Sequence, residues 1–239
     1  MVMLGQASRY LVKMLKRAGE GKKLAYPFTY LGTMSETLAM KNQARTVEDF
    51  LDLDMLDRAL QARACNLISS TMQDYNESTF SAKYKDNDQF QQAKVTMTVA
   101  HLRYLQLHIF RTECQQASFR DPRVTQLMEL VGRVWCLEQL LEDGAAAYDT
   151  GFLAPGTYRT LQRAMEQSVT ALRPHFISLG ESPYLPDHLV PSTIANRYGD
   201  IYEMQLEYAQ KSRLNVNNEV PEYFERLMKP ILKAKLPKL

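Results

Sequence analysis

The sequence predicts an all-α fold, built as a helix bundle. Apolar residues recur at three- and four-residue steps over long stretches, which is the period of an amphipathic α-helix. Glycine and proline separate these stretches from one another. No stretch shows the strict alternation of apolar and polar residues that is typical of a half-buried strand. We therefore expect helices and connections only.

The first predicted helix covers residues 2–18. Leucine and methionine side chains fall on one side of it, and its lysines and arginines fall largely on the other. Gly19 and Gly21 follow directly, and glycine is the residue that most often ends a helix. We expect one amphipathic helix that ends at this pair.

Thr46 is predicted to open the second helix. Its hydroxyl is suited to capping, and Glu48 and Asp49 would lie in the first turn, where the helix dipole favours carboxylates. A core stripe at helical spacing follows, made of Leu53, Leu56, Leu60, Ala64, Leu67 and Thr71.

The third predicted helix, at about residues 88–116, is expected to be the most buried of all. It carries two apolar stripes. The first consists of Val95, Val99, Leu102, Leu105 and Ile109, and the second of Met97, Ala100, Tyr104 and Leu107. A helix with two apolar faces is typical of the interior of a bundle.

Proline and glycine set the bounds of the later helices. Asp121 and Pro122 are suited to the cap and first turn of a helix that stops at Gly144. Another helix is predicted between Gly156 and Pro174, because the residue before a proline disfavours helical geometry.

The character of the sequence changes after residue 174. Three prolines mark a long connection, in which one short helix is predicted at residues 189–196. Two shorter helices are predicted near residues 202–211 and 219–232.

Composition excludes several classes of protein. The chain has 239 residues and a formal net charge of +2, so it has no broad positive field for nucleic acid. No apolar run approaches the roughly 20 residues of a membrane span, and cations interrupt the apolar core that a signal peptide needs. Cys65, Cys114 and Cys136 are far apart and match no zinc spacing, so we expect them to be small buried hydrophobic residues.

Two groups of residues are candidates for chemistry. His101 and His108 lie seven residues apart, hence two turns apart on one helix face, which is too far for both to bind one metal ion. We expect them to be core or interface histidines. Asp52, Asp54 and Asp57 resemble a carboxylate cluster but are expected to form a solvated helix face. Spacing alone predicts no catalytic, cofactor-binding or metal-binding residue.

Two stretches carry a resemblance to a known family. The first, residues 2–13, reads VMLGQASRYLVK, and the second, residues 197–215, includes RYGDIYE followed by EYAQKS. They resemble the C-terminal helical region of peroxisomal acyl-CoA oxidases, although the second run is one residue shorter here. The resemblance covers nearly the whole chain and implies an all-α helix bundle of the acyl-CoA oxidase and dehydrogenase C-terminal kind.

What the resemblance implies is a subunit of a flavoenzyme of peroxisomal fatty acid β-oxidation. Family members carry FAD and convert acyl-CoA and oxygen into trans-2-enoyl-CoA and hydrogen peroxide. Their catalytic base is a glutamate just before the helix matched by residues 2–13, so it is expected a few residues upstream of Met1. Glu20 comes beyond that helix and does not replace it. The flavin- and acyl-CoA-binding N-terminal half is absent too, so this chain alone is expected to be inactive and not to hold FAD.

The last three residues resemble an import signal. Pro237, Lys238 and Leu239 end the chain, and peroxisomal import receptors read a C-terminal tripeptide of the Ser-Lys-Leu kind. Lys238 and Leu239 match that signal, whereas Pro237 replaces a small residue. Together with the family resemblance, this predicts a peroxisomal protein.

The chain is predicted to consist of three segments, and three hypotheses describe its function. Residues 1–45 are predicted to be the end of a flavin-proximal helical domain with a connection, residues 46–232 the C-terminal helical domain, and residues 233–239 an exposed tail. The leading hypothesis is the C-terminal part of a homodimeric, FAD-dependent acyl-CoA oxidase. The second is a short non-catalytic paralogue that binds and modulates full-length oxidase subunits. The third is a helical scaffold unrelated to flavin chemistry.

Overall fold

Helices account for the regular structure of the chain. The computed structural model describes residues 2–41, 44–117, 119, 121–183, 200–212, 215 and 224–235. None of these residues lies in a strand, so the predicted all-α fold is confirmed. The chain divides into two compact units, Met1–Phe176 and Ile177–Leu239. The described helices are α1 (Val2–Gly19), α2 (Met34–Ala39), α3 (Leu53–Glu77), α4 (Ala82–Tyr84), α5 (Gln91–Gln116), α6 (Pro122–Asp143), α7 (Ala145–Asp149), α8 (Tyr158–Leu172), α9 (Phe176–Glu181), α10 (Ile201–Lys211) and α11 (Lys229–Lys235).

Helix α1 follows the sequence-based prediction closely. Leu11 and Met14 are buried against α5, and Lys16 and Arg17 lie in the last turn, where cations complement the helix dipole. Gly21 has a φ of 69°, a left-handed conformation that favours glycine, and it turns the chain away from the helix. A cis peptide bond joins Tyr26 and Pro27 in the connection that follows.

The second long helix begins later than predicted. Thr46 accepts a hydrogen bond from the backbone N–H of Asp49, and Asp49 accepts one from the N–H of Thr46, so the pair closes a short 3₁₀ turn at Asp49–Leu51. The residue that caps α3 is Asp52, which accepts from the N–H of Asp54. The prediction that Thr46 opens this helix was wrong, because a reciprocal cap also suits a single tight turn.

Helix α3 is the centre of the first unit. It packs against α2, α5, α6 and α7. Its core side chains include several small residues that allow neighbouring helices to approach. The fully buried positions on its apolar face are Leu56, Ala59, Leu60, Ala62, Ala64, Cys65 and Ile68. The predicted stripe is therefore largely confirmed, with Leu53 and Leu67 only half-buried.

Helix α5 is buried on one face, not on two. The stripe of Met97, Ala100, Tyr104 and Leu107 lies in the core. In the other stripe only Leu105 is buried, while Leu102 and Ile109 are 40% and 38% exposed. The prediction of a fully interior helix was wrong, because periodicity shows which faces are apolar but not whether a neighbouring helix covers them.

Helices α6 and α8 complete the first unit. Asp121 caps α6 by accepting from the N–H of Arg123, with Pro122 in the first turn, as predicted. Gly144 follows the last residue of the helix, and no larger residue fits there, because a Cβ would lie 2.2 Å from the carbonyl oxygen of Leu140. Leu161 of α8 is fully buried, and α8 packs along α6.

The second unit contains α10, α11 and the π-helical turn Phe224–Met228. Asp200 caps α10 by accepting from the N–H of Glu203. The helix predicted near residues 202–211 is confirmed, and the one predicted at 219–232 is seen as the segment 224–235. The helix predicted at 189–196 and the tail residues Pro237, Lys238 and Leu239 lie outside the described residues.

Within the described ranges, no helix combines the length and apolarity that crossing a bilayer would require.

Replacing Leu60 by alanine is expected to lower the free energy of unfolding by about 2–5 kcal/mol, because its side chain is 1% exposed in the core. The matched control is Leu102→Ala on α5, where the leucine is 40% exposed and the expected loss is about 1 kcal/mol or less. Urea unfolding followed by circular dichroism measures both. Equal losses would contradict the assignment of Leu102 to the surface of the chain.

Candidate functional site

A buried carboxylate lies between α3 and α5. Asp57 of α3 is 5% exposed, and its Oδ2 atom is 3.1 Å from Nδ1 of His108 and 3.6 Å from Nη1 of Arg111. The guanidinium of Arg111 also binds Asp54, one turn earlier on α3. These four side chains, called here the Asp57 cluster, join the first two turns of α3 to the C-terminal half of α5.

Burial governs the charge of this cluster. It raises the pKa of Asp57, while the hydrogen bond to His108 and the charges of His108 and Arg111 act in the opposite direction. The Oδ1 atom of Asp57 is buried and has no hydrogen-bond partner among the described residues. Asp52 and Asp54 are exposed as expected, but the prediction of a solvated face was wrong for Asp57, which lies on the apolar stripe of α3.

A second polar group lies at the centre of an aromatic cluster. His101 of α5 is 4% exposed, and its ring stacks on Phe28 and Tyr30 with centroid distances of 5.3 and 5.6 Å. The hydroxyl of Tyr30 is 2.5 Å from Nδ1 of His101. Burial lowers the pKa of His101 to about 4 and raises that of Tyr30. The imidazole is therefore neutral near pH 7, and its Nδ1 atom shares a hydrogen bond with the Tyr30 hydroxyl. His101 is a core histidine, as expected.

Arg63 is the second buried charge on α3. Its side chain is 1% exposed, and Nη2 binds the carboxylate of Asp143 at the end of α6. Arg103 of α5 approaches the same carboxylate at 3.9 Å. Burial lowers the pKa of Arg63, and Asp143 opposes that effect. Two other nitrogens of Arg63, Nε and Nη1, are buried without a hydrogen-bond partner in the described part of the chain. Asp143 thus links three helices.

The three cysteines behave as small apolar residues. All are buried free thiols, and Sγ of Cys136 lies 3.6 Å from the carbonyl oxygen of Leu56. Burial raises the pKa of Cys65 to about 12 and also raises those of Cys114 and Cys136. The expectation of three buried hydrophobic cysteines is confirmed.

The polar clusters hold helices together. Every paired group in them bonds to a side chain of another helix or turn, which is the arrangement of a structural cross-link. Among the described residues, no group of three or more histidine, cysteine and carboxylate side chains is placed to hold a metal ion. The clusters therefore explain how α3, α5 and α6 are fixed relative to one another.

Two cavities among the described residues differ in size and in the charge of their walls. A surface groove of about 770 Å³ carries four carboxylates and two cations on its walls, namely Glu48, Asp49, Asp52, Asp54, Lys41 and Arg58. A cleft of about 350 Å³ beside α1 is at the small end of the range for drug-sized ligands, and a flavin dinucleotide is larger.

Sequence reasoning missed the two buried charges, although a signal for them exists. Asp57 and Arg63 both fall at helical spacing from Leu53, Leu56 and Leu60, inside the apolar stripe of α3. A charged residue inside a core stripe is buried with a partner or interrupts the helix face. The partner of Arg63 is 80 residues away, however, so local spacing does not identify it.

Fold and clusters together define an all-α helical domain in which two buried charged residues of α3, Asp57 and Arg63, bond to side chains of α5 and α6. The family model described as acyl-CoA oxidase matches residues 52–233. Peroxisomal acyl-coenzyme A oxidase 1 of Arabidopsis thaliana is 22% identical over 231 residues, which are 97% of this chain and 34% of that protein. The chain belongs to the acyl-CoA oxidase family.

Solved structures show the same fold. Arabidopsis thaliana acyl-CoA oxidase 1 superimposes with a TM-score of 0.85 at 21% identity, covering 98% of this chain and 35% of that one. Acyl-CoA oxidase-2 of Caenorhabditis elegans, solved with FAD, ascaroside-CoA and ATP, gives a TM-score of 0.78 at 23% identity, covering 100% and 35%. The chain thus spans about a third of the length of these relatives.

We expect stability to fall on acidification between pH 6.5 and about 4, because the folded state lowers the pKa of His101 from 6.5 to about 4. In that window the unfolded chain binds the proton and the folded chain does not, so the loss reaches about 3 kcal/mol at the acid end. The His101→Gln variant keeps an acceptor for Tyr30 but does not titrate, so its pH slope is expected to be shallower.

The matched control is His175→Gln, since His175 is exposed in the turn Arg173–His175. Chemical unfolding at a series of pH values gives the slope for each variant, independently of any constant loss of stability. A slope unchanged in His101→Gln, or equally reduced in His175→Gln, would contradict this assignment.

Proposed function

We propose that this chain is the C-terminal helical part of a FAD-dependent acyl-CoA oxidase of peroxisomal fatty acid β-oxidation. The reaction of the whole enzyme converts acyl-CoA and oxygen into trans-2-enoyl-CoA and hydrogen peroxide. The observation that carries the proposal is the family match over residues 52–233, combined with a span of only about a third of the relatives' length. The remaining part of the enzyme would supply the acyl-CoA site and most of the flavin site.

The proposed contribution of this part is mechanical. Polar contacts of the buried residues Asp57 and Arg63 join α3 to α5 and α6, and apolar side chains point outward on several of the helices. Met3 and Tyr10 of α1 are 77% and 50% exposed, and Leu102 and Ile109 of α5 are also exposed. Large exposed apolar side chains on rigid helices are suited to packing against another subunit or domain. We assign them to dimerisation and to support of the flavin domain.

The flavin chemistry is assigned to the whole enzyme. FAD, when bound, accepts the hydride from the acyl-CoA and passes the electrons to oxygen. By the family resemblance, the glutamate base lies upstream of the region matched by residues 2–13. No catalytic residue is therefore proposed among those of this chain, and its residues act by holding the helices that face the flavin part.

The native protein is expected to have an intact mass well above 27.5 kDa, to carry bound flavin, and to release peroxide when acyl-CoA is added. The 239-residue chain alone is expected neither to retain flavin nor to release peroxide, because it spans only about a third of the length of its relatives. Purification from source cells, intact mass spectrometry and a peroxidase-coupled assay measure these properties.

Two outcomes would overturn parts of this proposal. A native mass equal to 27.5 kDa, with binding to full-length oxidase subunits, would favour a non-catalytic paralogue that modulates them. Sustained peroxide production by the pure 239-residue chain would show that the reaction needs no other part.

The tail is proposed to direct the protein to the peroxisome through the import receptor. A fluorescent protein fused before residue 1 is expected to collect in peroxisomes, and removal of Leu239 is expected to leave it diffuse, since the receptor reads the terminal aliphatic side chain. Lys233→Gln lies outside the tripeptide and serves as the control. Unchanged peroxisomal fluorescence without Leu239 would contradict the role of this signal.

A further inference from the structure

The segment 224–235 of the second unit carries an exposed apolar face. It consists of the π-helical turn Phe224–Met228 and helix α11, which follows that turn directly. Four large apolar side chains of the segment are each between 47% and 60% exposed, namely Leu227, Met228, Ile231 and Leu232. Removing such side chains from water is favourable, so this face is suited to a partner that buries them.

The four side chains lie on one side of the segment. Leu227 and Ile231 are four residues apart, and so are Met228 and Leu232. Residues at that spacing are neighbours on a helix surface, and the two pairs adjoin each other because their members are consecutive in the chain. They therefore form one continuous apolar stripe, called here the α11 stripe.

Cations occupy the other side of the segment. Arg226, Lys229 and Lys233 are spaced by three and four residues, and helical periodicity places them opposite the α11 stripe. Glu225 pairs with Lys229 at 2.6 Å. Three cations and one carboxylate leave a net charge of +2 on residues 224–233. The segment is therefore apolar on one side and positive on the other.

Helix α10 shows that exposed apolar side chains alone do not distinguish this segment. Tyr202 and Leu206 of α10 are 84% and 58% exposed. The charged residues of α10 are Glu203, Glu207 and Lys211, so two carboxylates and one ammonium leave a net charge of −1. Apolar exposure is combined with positive charge in the segment 224–235 and with negative charge in α10. The charge of the segment complements a negative surface.

The length of the segment suits a position in the plane of a bilayer surface. Its 12 residues extend over about 18 Å, whereas a helix that crosses the hydrocarbon core needs roughly 20 residues. A basic amphipathic helix binds at the interface, with its apolar side among the acyl chains and its cations near negative headgroups. The long apolar stems of lysine and arginine allow their charged ends to reach those headgroups. Because the segment is already helical, binding does not have to order a coil.

We infer that residues 224–235 bind the surface of an anionic lipid bilayer, with the α11 stripe among the lipids and Arg226 and Lys233 at the headgroups. The bilayer is recognised by its net negative charge together with its apolar interior. This contact does not depend on the proposed oxidase reaction, because all of its residues belong to this chain and lie in one segment.

The test uses the 239-residue chain and two kinds of vesicle, one of phosphatidylcholine alone and one of phosphatidylcholine and phosphatidylglycerol in equal parts. Co-sedimentation is expected to show binding at least about tenfold tighter to the anionic vesicles, and this binding is expected to weaken as salt is raised. Both lipids contain a phosphate group, so the difference measures the net charge of the surface and not the recognition of phosphate.

Leu227→Gln is expected to weaken binding to the anionic vesicles about tenfold or more, because less apolar area is removed from water. The matched control is Leu206→Gln on α10, where the leucine has nearly the same exposure, 58% against 60%. It is expected to bind like the unmodified chain. Arg226→Gln is expected to weaken the binding and to make it less dependent on salt.

Four outcomes overturn the proposal. They are absence of binding to the anionic vesicles, equal binding to both kinds of vesicle, an equal loss in Leu206→Gln, and unchanged binding of Leu227→Gln. If Leu227→Gln instead abolishes self-association in sedimentation velocity while its vesicle binding is unchanged, the α11 stripe contacts a second copy of the chain and not a bilayer.

Discussion

The burial of two opposite charges on helix α3 is the constraint on which the rest of the first unit depends. Removing a charged side chain from water costs several kcal/mol unless a partner neutralises it. Asp57 finds that partner on α5, and Arg63 finds it at the end of α6. Apolar stripes alone permit helices to slide or rotate by small steps, whereas a buried ion pair is satisfied in one register. We infer that these pairs set the register in which the leucines and alanines of α3 interlock with their neighbours.

Much of the architecture follows from local patterns. The bounds of α1, α6 and α8 are close to those expected, because a glycine, a proline or a capping aspartate marks each end. The prediction that Thr46 opens a helix was wrong because its reciprocal hydrogen bonds with Asp49 suit a 3₁₀ turn as well as a helix. The prediction that the apolar stripe containing Leu102 and Ile109 of α5 is buried was wrong for another reason. Apolar character is a property of the sequence, but burial depends on which helix lies opposite.

The interior polar groups were the least predictable part. Charged residues are usually exposed, so the pattern around Asp57 was interpreted as a solvated face. Only the three-dimensional arrangement brings Asp143 to Arg63 and His108 to Asp57, across 80 and 51 residues of chain. Family resemblance, by contrast, was carried by short segments at the two ends of the chain. Fold and family were therefore accessible from sequence, while the contacts that stabilise the fold were not.

The buried cysteines have a chemical consequence for a protein of this family. Peroxide oxidises thiolates far faster than thiols, because the thiolate is the nucleophile. In the proposed setting, where each turnover releases hydrogen peroxide, Cys65, Cys114 and Cys136 are kept protonated by their raised pKa values and shielded by the core. These three thiols are therefore kept away from peroxide in the solvent. In that setting, a transient opening of the bundle would let peroxide oxidise these thiols to sulfenic acid and, with further peroxide, to sulfinic acid, so the helical packing also protects them chemically.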